Sequence, residues 1–235
     1  MIKENDIRYS RLTSLPEIGP EGMALLRAAR IMVVGCGALG SLCSMYLAAS
    51  GVGHVTIADF DRIDISNLQR QLFFTEDGLG ESKARTLAER MRSINSEVEV
   101  TVIERLIRRD DALSVFVGHD VIIDGSDNPA TKLMTDGVCE EIGRPYVIGG
   151  VRGFECQVMT CVPGSVRYSD VFGGSGECSG ITPCSVGGVL GPAAGVAASI
   201  QASEAVKLVT HAGEPLTDRL FALNLLDMST AVYNV

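Results

Sequence analysis

Short apolar runs alternate along this chain with longer stretches in which apolar residues recur every three or four positions. Residues 31–34, an unbroken Ile-Met-Val-Val, predict a strand buried on both faces. Residues 39–50 predict a helix, stopped by Gly51 and Gly53, and residues 54–58 a second strand. The alternation continues through a helix at 81–93, a strand at 97–103, a short helix at 110–117 and a strand at 120–124. A helix starting near Pro129 and a strand at 145–151 complete it. Strands and helices taken in turn predict βαβ units and a parallel sheet. The order then changes. Residues 154–162 alternate as a sixth strand, and Gly153 leaves room only for a turn, so this strand is expected antiparallel to the fifth. A helix from about 187 to 211, kinked near Pro192, leads to a closing hairpin at 219–227 and 230–235.

The expected fold is therefore α/β: a Rossmann-like open sheet, parallel in its first half and antiparallel in its C-terminal strands, with helices on both faces. A short polar helix at 3–14 and a connector with a second helix at 15–29 precede it. With no internal repeat and no linker, one domain over 1–235 is expected: N-terminal helices at 1–30, a nucleotide-binding part at 31–150 and an antiparallel part at 151–235. The segment 163–185, rich in Gly and Ser and without periodicity, is expected to be a mobile surface loop.

Hydrophobic residues make up 46% of the chain and charged residues 21%, enough to bury a large core. With 5% aromatic residues and no Trp, that core must be aliphatic. A net charge of -9 argues against nonspecific nucleic-acid binding, so any anion site must be a local cluster of Arg and Lys. Seven cysteines without a C-x-x-C, and an N-terminus without an apolar signal core, point to a reduced, cytoplasmic protein. Residues 186–200 are apolar but too short to cross a membrane and broken by Pro192.

The candidate chemistry begins after the first strand. Gly35, Gly37 and Gly40 form G-x-G-x-x-G between a strand and a helix, and Asp59 ends the next strand. This is the nucleotide fingerprint: a tight turn, a helix N-terminus aimed at phosphate and an acid for the ribose. Asp61, Asn67 and Arg70 follow in a connection, 60–80, that is long for a compact domain unless functional. Lys83 and Arg85 stand in the first turn of a helix, where the dipole disfavours cations unless an anion binds. Asp124 and Asp127 lie beyond the fourth strand, where one acid can cap the next helix and the other hold a metal. His54, His119 and His211 stand at strand starts or a helix end and read as bystanders.

These pieces together resemble the ThiF/MoeB/HesA adenylyltransferases, bacterial relatives of ubiquitin-activating enzymes. The likeness rests on Arg8-Tyr9-Ser10-Arg11, the glycine loop, Ala58-Asp59-Phe60-Asp61, Ser66-Asn67-Leu68-Gln69-Arg70-Gln71, Lys83 and Asp124-Gly125-Ser126-Asp127-Asn128. It extends through Cys184 and the stretch that follows to Leu208. The resemblance implies ATP-dependent adenylylation of the C-terminal glycine of a small ubiquitin-like sulfur carrier ending in Gly-Gly, releasing pyrophosphate. It implies that Asp59 binds the ribose, that Gly37 and Gly40 admit the nucleotide, that Asn67, Arg70 and Lys83 hold the phosphates, and that Asp127 holds magnesium. Arg11 would reach into the neighbouring subunit's site, implying a homodimer. Cys184 matches a cysteine that bonds to the carrier in some relatives, with Cys178 as a conceivable resolving partner, and sulfur would come from a separate sulfurtransferase.

The carboxylate nucleophile is ionised at neutral pH, with a reference pKa of about 3.5, so no general base is needed. Positioning and cations should carry the reaction. Both C-x-x-C pairs that hold a structural zinc in many relatives are missing, so no structural zinc is expected. Their absence leans the carrier towards a ThiS-like protein of thiamine thiazole synthesis, with a MoaD-like protein of molybdopterin synthesis as the alternative. An NAD-dependent oxidoreductase would leave Asn67, Arg70 and Lys83 unexplained, and a non-catalytic nucleotide scaffold would not need every phosphate position filled.

Overall fold

The structure, a computed structural model, describes residues 7–173 and 187–235. Eight strands form one sheet in the order β3-β2-β1-β4-β5-β6-β7-β8. They are β1 Arg30–Val34, β2 His54–Ala58, β3 Glu99–Ile103, β4 Val121–Asp124, β5 Tyr146–Arg152, β6 Glu155–Cys161, β7 Arg219–Asn224 and β8 Ser229–Asn234. The first five run parallel; β5–β6, β6–β7 and β7–β8 pair antiparallel. The change of direction is a turn at Gly153, whose φ of 58° suits glycine.

The helices among the described residues are α1 Ser10–Thr13, α2 Gly19–Ala28, α3 Ala38–Ala49, α4 Lys83–Ile94, α5 Arg109–Phe116, α6 Pro129–Ile142, α7 Tyr168–Phe172 and α8 Gly191–Thr210. Alternation along each strand decides which helices cover which face. Ile31 and Val33 of β1 join the core made with α2, α3, α4 and α8, while Met32 and Val34 join the core made with α5 and α6. The Ala-rich stripe of α8 (Ala193, Ala194, Ala197, Ala198, Ala205) is fully buried and lets that helix lie close to α3 and to β5.

Three expectations are corrected. Pro192 does not kink a longer helix; it stands in the first turn of α8, where its missing N–H has no helical partner to lose. Residues 163–173 are not all loop, since Tyr168 is buried and α7 forms around it; the rest of the expected loop lies outside the described residues. Neither Asp124 nor Asp127 caps α6. Asn128 does, accepting from the N–H groups of Ala130 and Thr131.

Backbone meets backbone where β1, α3 and the end of β4 join. A Cβ on Gly40 would lie 1.8 Å from the Gly35 carbonyl oxygen, and one on Gly125 would lie 2.7 Å from the Gly40 nitrogen. At the N-terminus, Tyr9 is buried, donates to Glu97 at 3.0 Å and accepts from Asn95 at 2.8 Å. Below the sheet, His119 donates Nδ1–H to the Val115 carbonyl and its Nε2 lies 2.7 Å from the Thr56 hydroxyl. Burial depresses its pKa most; the hydrogen bond to the Val115 carbonyl opposes this, the charges of Arg30 and His54 depress it further, and Asp120 opposes them least.

Gly40→Ala is expected to lower unfolding free energy by more than about 3 kcal/mol, read by denaturant titration, because the contact is with rigid backbone. Because the folded His119 pKa lies below its unfolded value, the unfolded chain binds more protons between the two. Stability from this group is complete above pH of about 6.5 and is lost as pH falls below it. Calorimetric melting at pH 7.5 and 5.5 should therefore show a smaller pH effect in His119→Gln than in the wild type.

Candidate active site

The strand order reverses between β1 and β4, the place where open α/β sheets bind ligands beyond their carboxyl ends. A cavity of about 520 Å³ opens there. Gly35, Gly37, Asp59, Asp61, Asn67, Arg70, Lys83 and Asp127 all line it, although they come from five separate segments of the chain. Gly40 does not; it is consumed in the packing against Gly35. Arg11 is exposed on α1 and does not line the cavity of its own chain. Cys184 and Cys178 lie outside the described residues.

Two helix N-termini face this point, and they differ. The N-terminus of α6 is closed by Asn128. That of α3 begins at Gly37 with no side-chain cap, so its first N–H groups face a cavity also lined by Ala38 and Leu39. An uncapped helix start is a ready site for phosphate. Asp59, half-buried beside it, accepts from the N–H groups of Cys36 and Asp61, both at 2.7 Å. Burial raises its pKa, and those two N–H groups pull it back.

The connection 60–80 is held down at Ile63 and Phe74, both in the core. Between them Asp64 caps a 3-10 turn at Ile65–Asn67 and receives in return the Asn67 side chain, whose oxygen accepts from the Asp64 N–H at 3.3 Å. Asn67 is buried, and among the described residues its Nδ2 donates to no protein group. Arg70 donates to the Ser66 carbonyl at 2.9 Å and forms no ion pair among the described residues. Lys83 is buried at the start of α4, and its Nζ lies 3.0 Å from Asp61. The conflict between a cation and the helix dipole is thus met within the chain, by Asp61.

Asp124 and Asp127 have different fates. Asp124 is fully buried and receives Lys132 Nζ at 3.0 Å, the Ser126 N–H and hydroxyl, and the Thr135 hydroxyl. Lys132, also buried, donates as well to the Gly149 carbonyl at 2.7 Å, and Gln201 donates to the Asp124 carbonyl. This pair ties α6, β4, β5 and α8 together beneath the loop that carries Asp127. Asp127 itself is exposed at the cavity rim, with no side-chain bond among the described residues. A lone accessible carboxylate at the rim of this cleft fits magnesium, which takes one or two carboxylates and completes its shell with phosphate oxygens and water.

Lys132, Gln201 and Gln71 were not assigned roles from the sequence, and Asp124, read there as a helix cap or a metal ligand, is instead the buried partner of Lys132. Lys132 carried a legible signal: it is a cation in the first turn of a helix, the same anomaly that marked Lys83. The described cysteines, Cys36, Cys43, Cys139, Cys156 and Cys161, are all buried, and burial raises the pKa of each, so none is poised as a thiolate. Among the described residues no three His, Cys, Asp or Glu side chains converge as a metal site, and no helix is long and apolar enough to cross a membrane.

Fold and site together define an open-sheet α/β domain with a cation-lined cleft of about 520 Å³ at its switch point. The chain belongs to the ThiF family, whose profile matches residues 9–235. It is 39% identical over 222 residues to a SAMP-activating enzyme E1 of Haloferax volcanii, covering 94% of this chain and 82% of that protein. It is 36% identical over 232 residues to a probable adenylyltransferase/sulfurtransferase, MoeZ, of Mycobacterium tuberculosis, covering 97% of this chain but 59% of that protein. In structure it matches E. coli MccB crystallised with ATP, with a TM-score of 0.83 and 25% identity over 97% of this chain and 71% of that one.

Replacing Lys132 by Met leaves Asp124 charged, buried and short of its partner. The expected loss is about 3–5 kcal/mol of unfolding free energy, measured by denaturant titration.

Proposed function

We propose that this chain adenylylates the C-terminal carboxylate of a small ubiquitin-like carrier protein, with ATP as donor and pyrophosphate as the leaving group. As a ThiF-family chain it is classed with the nucleotidyltransferases. The observation that carries the reading is convergence: an uncapped helix start, a ribose-type acid, a buried lysine, an arginine with no ion pair among the described residues and an exposed aspartate meet around one cleft.

In this reading Asp59 accepts from the ribose hydroxyls, and the first N–H groups of α3 with Gly35 and Gly37 receive the phosphate chain. Asn67, Arg70 and Lys83 draw charge from the phosphates as pyrophosphate departs, with Asp61 holding Lys83 Nζ in place until then. Asp127 is the residue that would hold magnesium, which supplies charge neutralisation on the phosphates when bound. The carrier's carboxylate oxygen attacks the α-phosphorus; one oxygen–phosphorus bond forms and the bond to the bridging oxygen breaks. No proton moves, which agrees with a cleft lined by cations and acids and without histidine. The cleft continues along β5 and β6 past Gly150, Gln157 and Met159, a path suited to an extended Gly-Gly tail.

Arg11, away from its own cleft, would act in a partner's, making the working unit a homodimer. Cys184 would bond to the carrier or pass sulfur to it. The finer partner is a ThiS-like carrier, favoured by the lack of a C-x-x-C pair directly after β6. The kinship to a SAMP-activating enzyme and to MoeZ keeps a MoaD-like carrier as the competing partner.

Intact-mass spectrometry of each Gly-Gly-ending carrier, after incubation with the protein, ATP and magnesium, should show one AMP added to a single carrier. Asp127→Ala and Arg70→Ala should each cut pyrophosphate release at least a hundredfold without lowering the melting temperature. Full activity in both variants removes these site assignments, and ATP bound with no carrier modified points to a scaffold instead.

A further inference from the structure

Gln201 lies on α8, among the alanines that pack this helix against the sheet, and it is 0% exposed. Its side-chain nitrogen donates to the Asp124 carbonyl at 2.8 Å and lies 3.5 Å from the Val147 carbonyl. Its Oε1 is buried with no hydrogen-bond partner among the described residues. β5 makes room for this amide at Gly149, where a Cβ would stand 2.7 Å from Cδ, 2.8 Å from Oε1 and 2.9 Å from Nε2. A methionine would fill the same space without leaving an acceptor unpaired. What the amide adds is the bond to Asp124.

That bond falls where two paired strands part. β4 pairs with β5 up to Asp124, opposite Ile148, and β5 runs on to Arg152. Lys132 reaches the same point from α6 and takes the Asp124 carboxylate and the Gly149 carbonyl. Gln201 thus holds the main chain of Asp124, and Lys132 its side chain. Gly125, next along, is pressed against Gly40. Ser126 is tied back to the Asp124 carboxylate by its N–H and hydroxyl, and Asn128 is committed to capping α6. Asp127 is the residue left between these pins, and it inherits its placement from them. Lys132 lines the cleft, but Gln201 does not, so any effect of Gln201 on a bound nucleotide must pass through the loop.

We infer that Gln201 is a positioning residue for Asp127: by holding the Asp124 carbonyl where β4 leaves the sheet, it sets where the Asp127 carboxylate stands. The inference rests on the proposed magnesium role of Asp127 and adds the group that aims it. Magnesium demands near-ideal octahedral geometry, with oxygens at about 2.0–2.1 Å, so a small shift of one carboxylate is felt at the metal first. Asp59, Arg70 and Lys83 come from other segments and do not move with this loop. Loss of the amide should therefore weaken the magnesium-dependent part of ATP binding and spare the rest.

Calorimetric titration of Gln201→Met with ATP, once with magnesium and once in EDTA, tests this. The wild type should bind ATP more tightly with magnesium. In Gln201→Met that gain should shrink about fivefold, the equivalent of one neutral hydrogen bond, while affinity in EDTA changes by less than about twofold. Gly149→Ala reaches the same amide from β5 by crowding it with a methyl group, and should give the same signature even if Gln201→Met folds poorly. On an Asp127→Ala background neither substitution should change ATP affinity further. An undiminished magnesium gain in both variants overturns the inference. So do equal losses with and without magnesium, or a further loss on the Asp127→Ala background, either of which makes the role structural. An Asp127→Ala protein that keeps the whole magnesium gain overturns the metal assignment and the inference with it. A wild type that binds no ATP overturns the nucleotide reading, and both of these failures are seen without touching Gln201.

Discussion

Everything at the switch point depends on one close approach, the backbone of Gly40 against the Gly35 carbonyl and the backbone of Gly125. It fixes how far α3 can be from β1 and how near the end of β4 can come to both. Any side chain at Gly40 would lift the helix off the sheet and carry its uncapped N-terminus away from Asp59, Arg70 and Lys83. The three glycines of the fingerprint thus divide their work. Gly35 makes the turn at a φ of 90°, Gly37 leaves the helix start open, and Gly40 sets the depth at which the helix packs.

Around that junction the chain places cations where helix dipoles oppose them, and supplies an anion for each. Lys83 has Asp61; Lys132 has Asp124. The two pairs serve different ends because their exposure differs. Asp124 is sealed in with three further donors, so its pair is a fixed joint beneath the Asp127 loop. Asp61 is half exposed at the cleft, so its hold on Lys83 is one that solvent can share, as the proposed phosphate contact of Lys83 requires. Burial, more than distance, separates a structural ion pair from one that can exchange partners.

The order of strands and helices was legible because periodicity reports which faces are buried, and the reversal after β5 was legible because Gly153 leaves room only for a turn. Pro192 was not, since a proline in the first turn and a proline at a kink look alike until the preceding residues are known to be non-helical. Nor was α7, five residues long and held by burial of Tyr168 rather than by its own pattern. Within the cleft, residue types that are odd for their position could be found: an acid after β2, a lysine at a helix start. Gln71 could not, because a glutamine in a polar connection is unremarked until the fold buries it. The joint made by Lys132 joins elements far apart in sequence, so only the fold brings its members together.

The anchoring of Tyr9 bears on Arg11, two positions further on. The phenol sits under the Arg27 guanidinium, pressed against Gly51 and bonded to Glu97 and Asn95. A terminal arm would ordinarily lose much conformational entropy on meeting another surface. Here most of that freedom is already gone from residue 9 onward. Arg11 is in effect part of the rigid body, and in the proposed homodimer the reach of its guanidinium would be decided by how two such bodies dock, with little left to the searching of a tail.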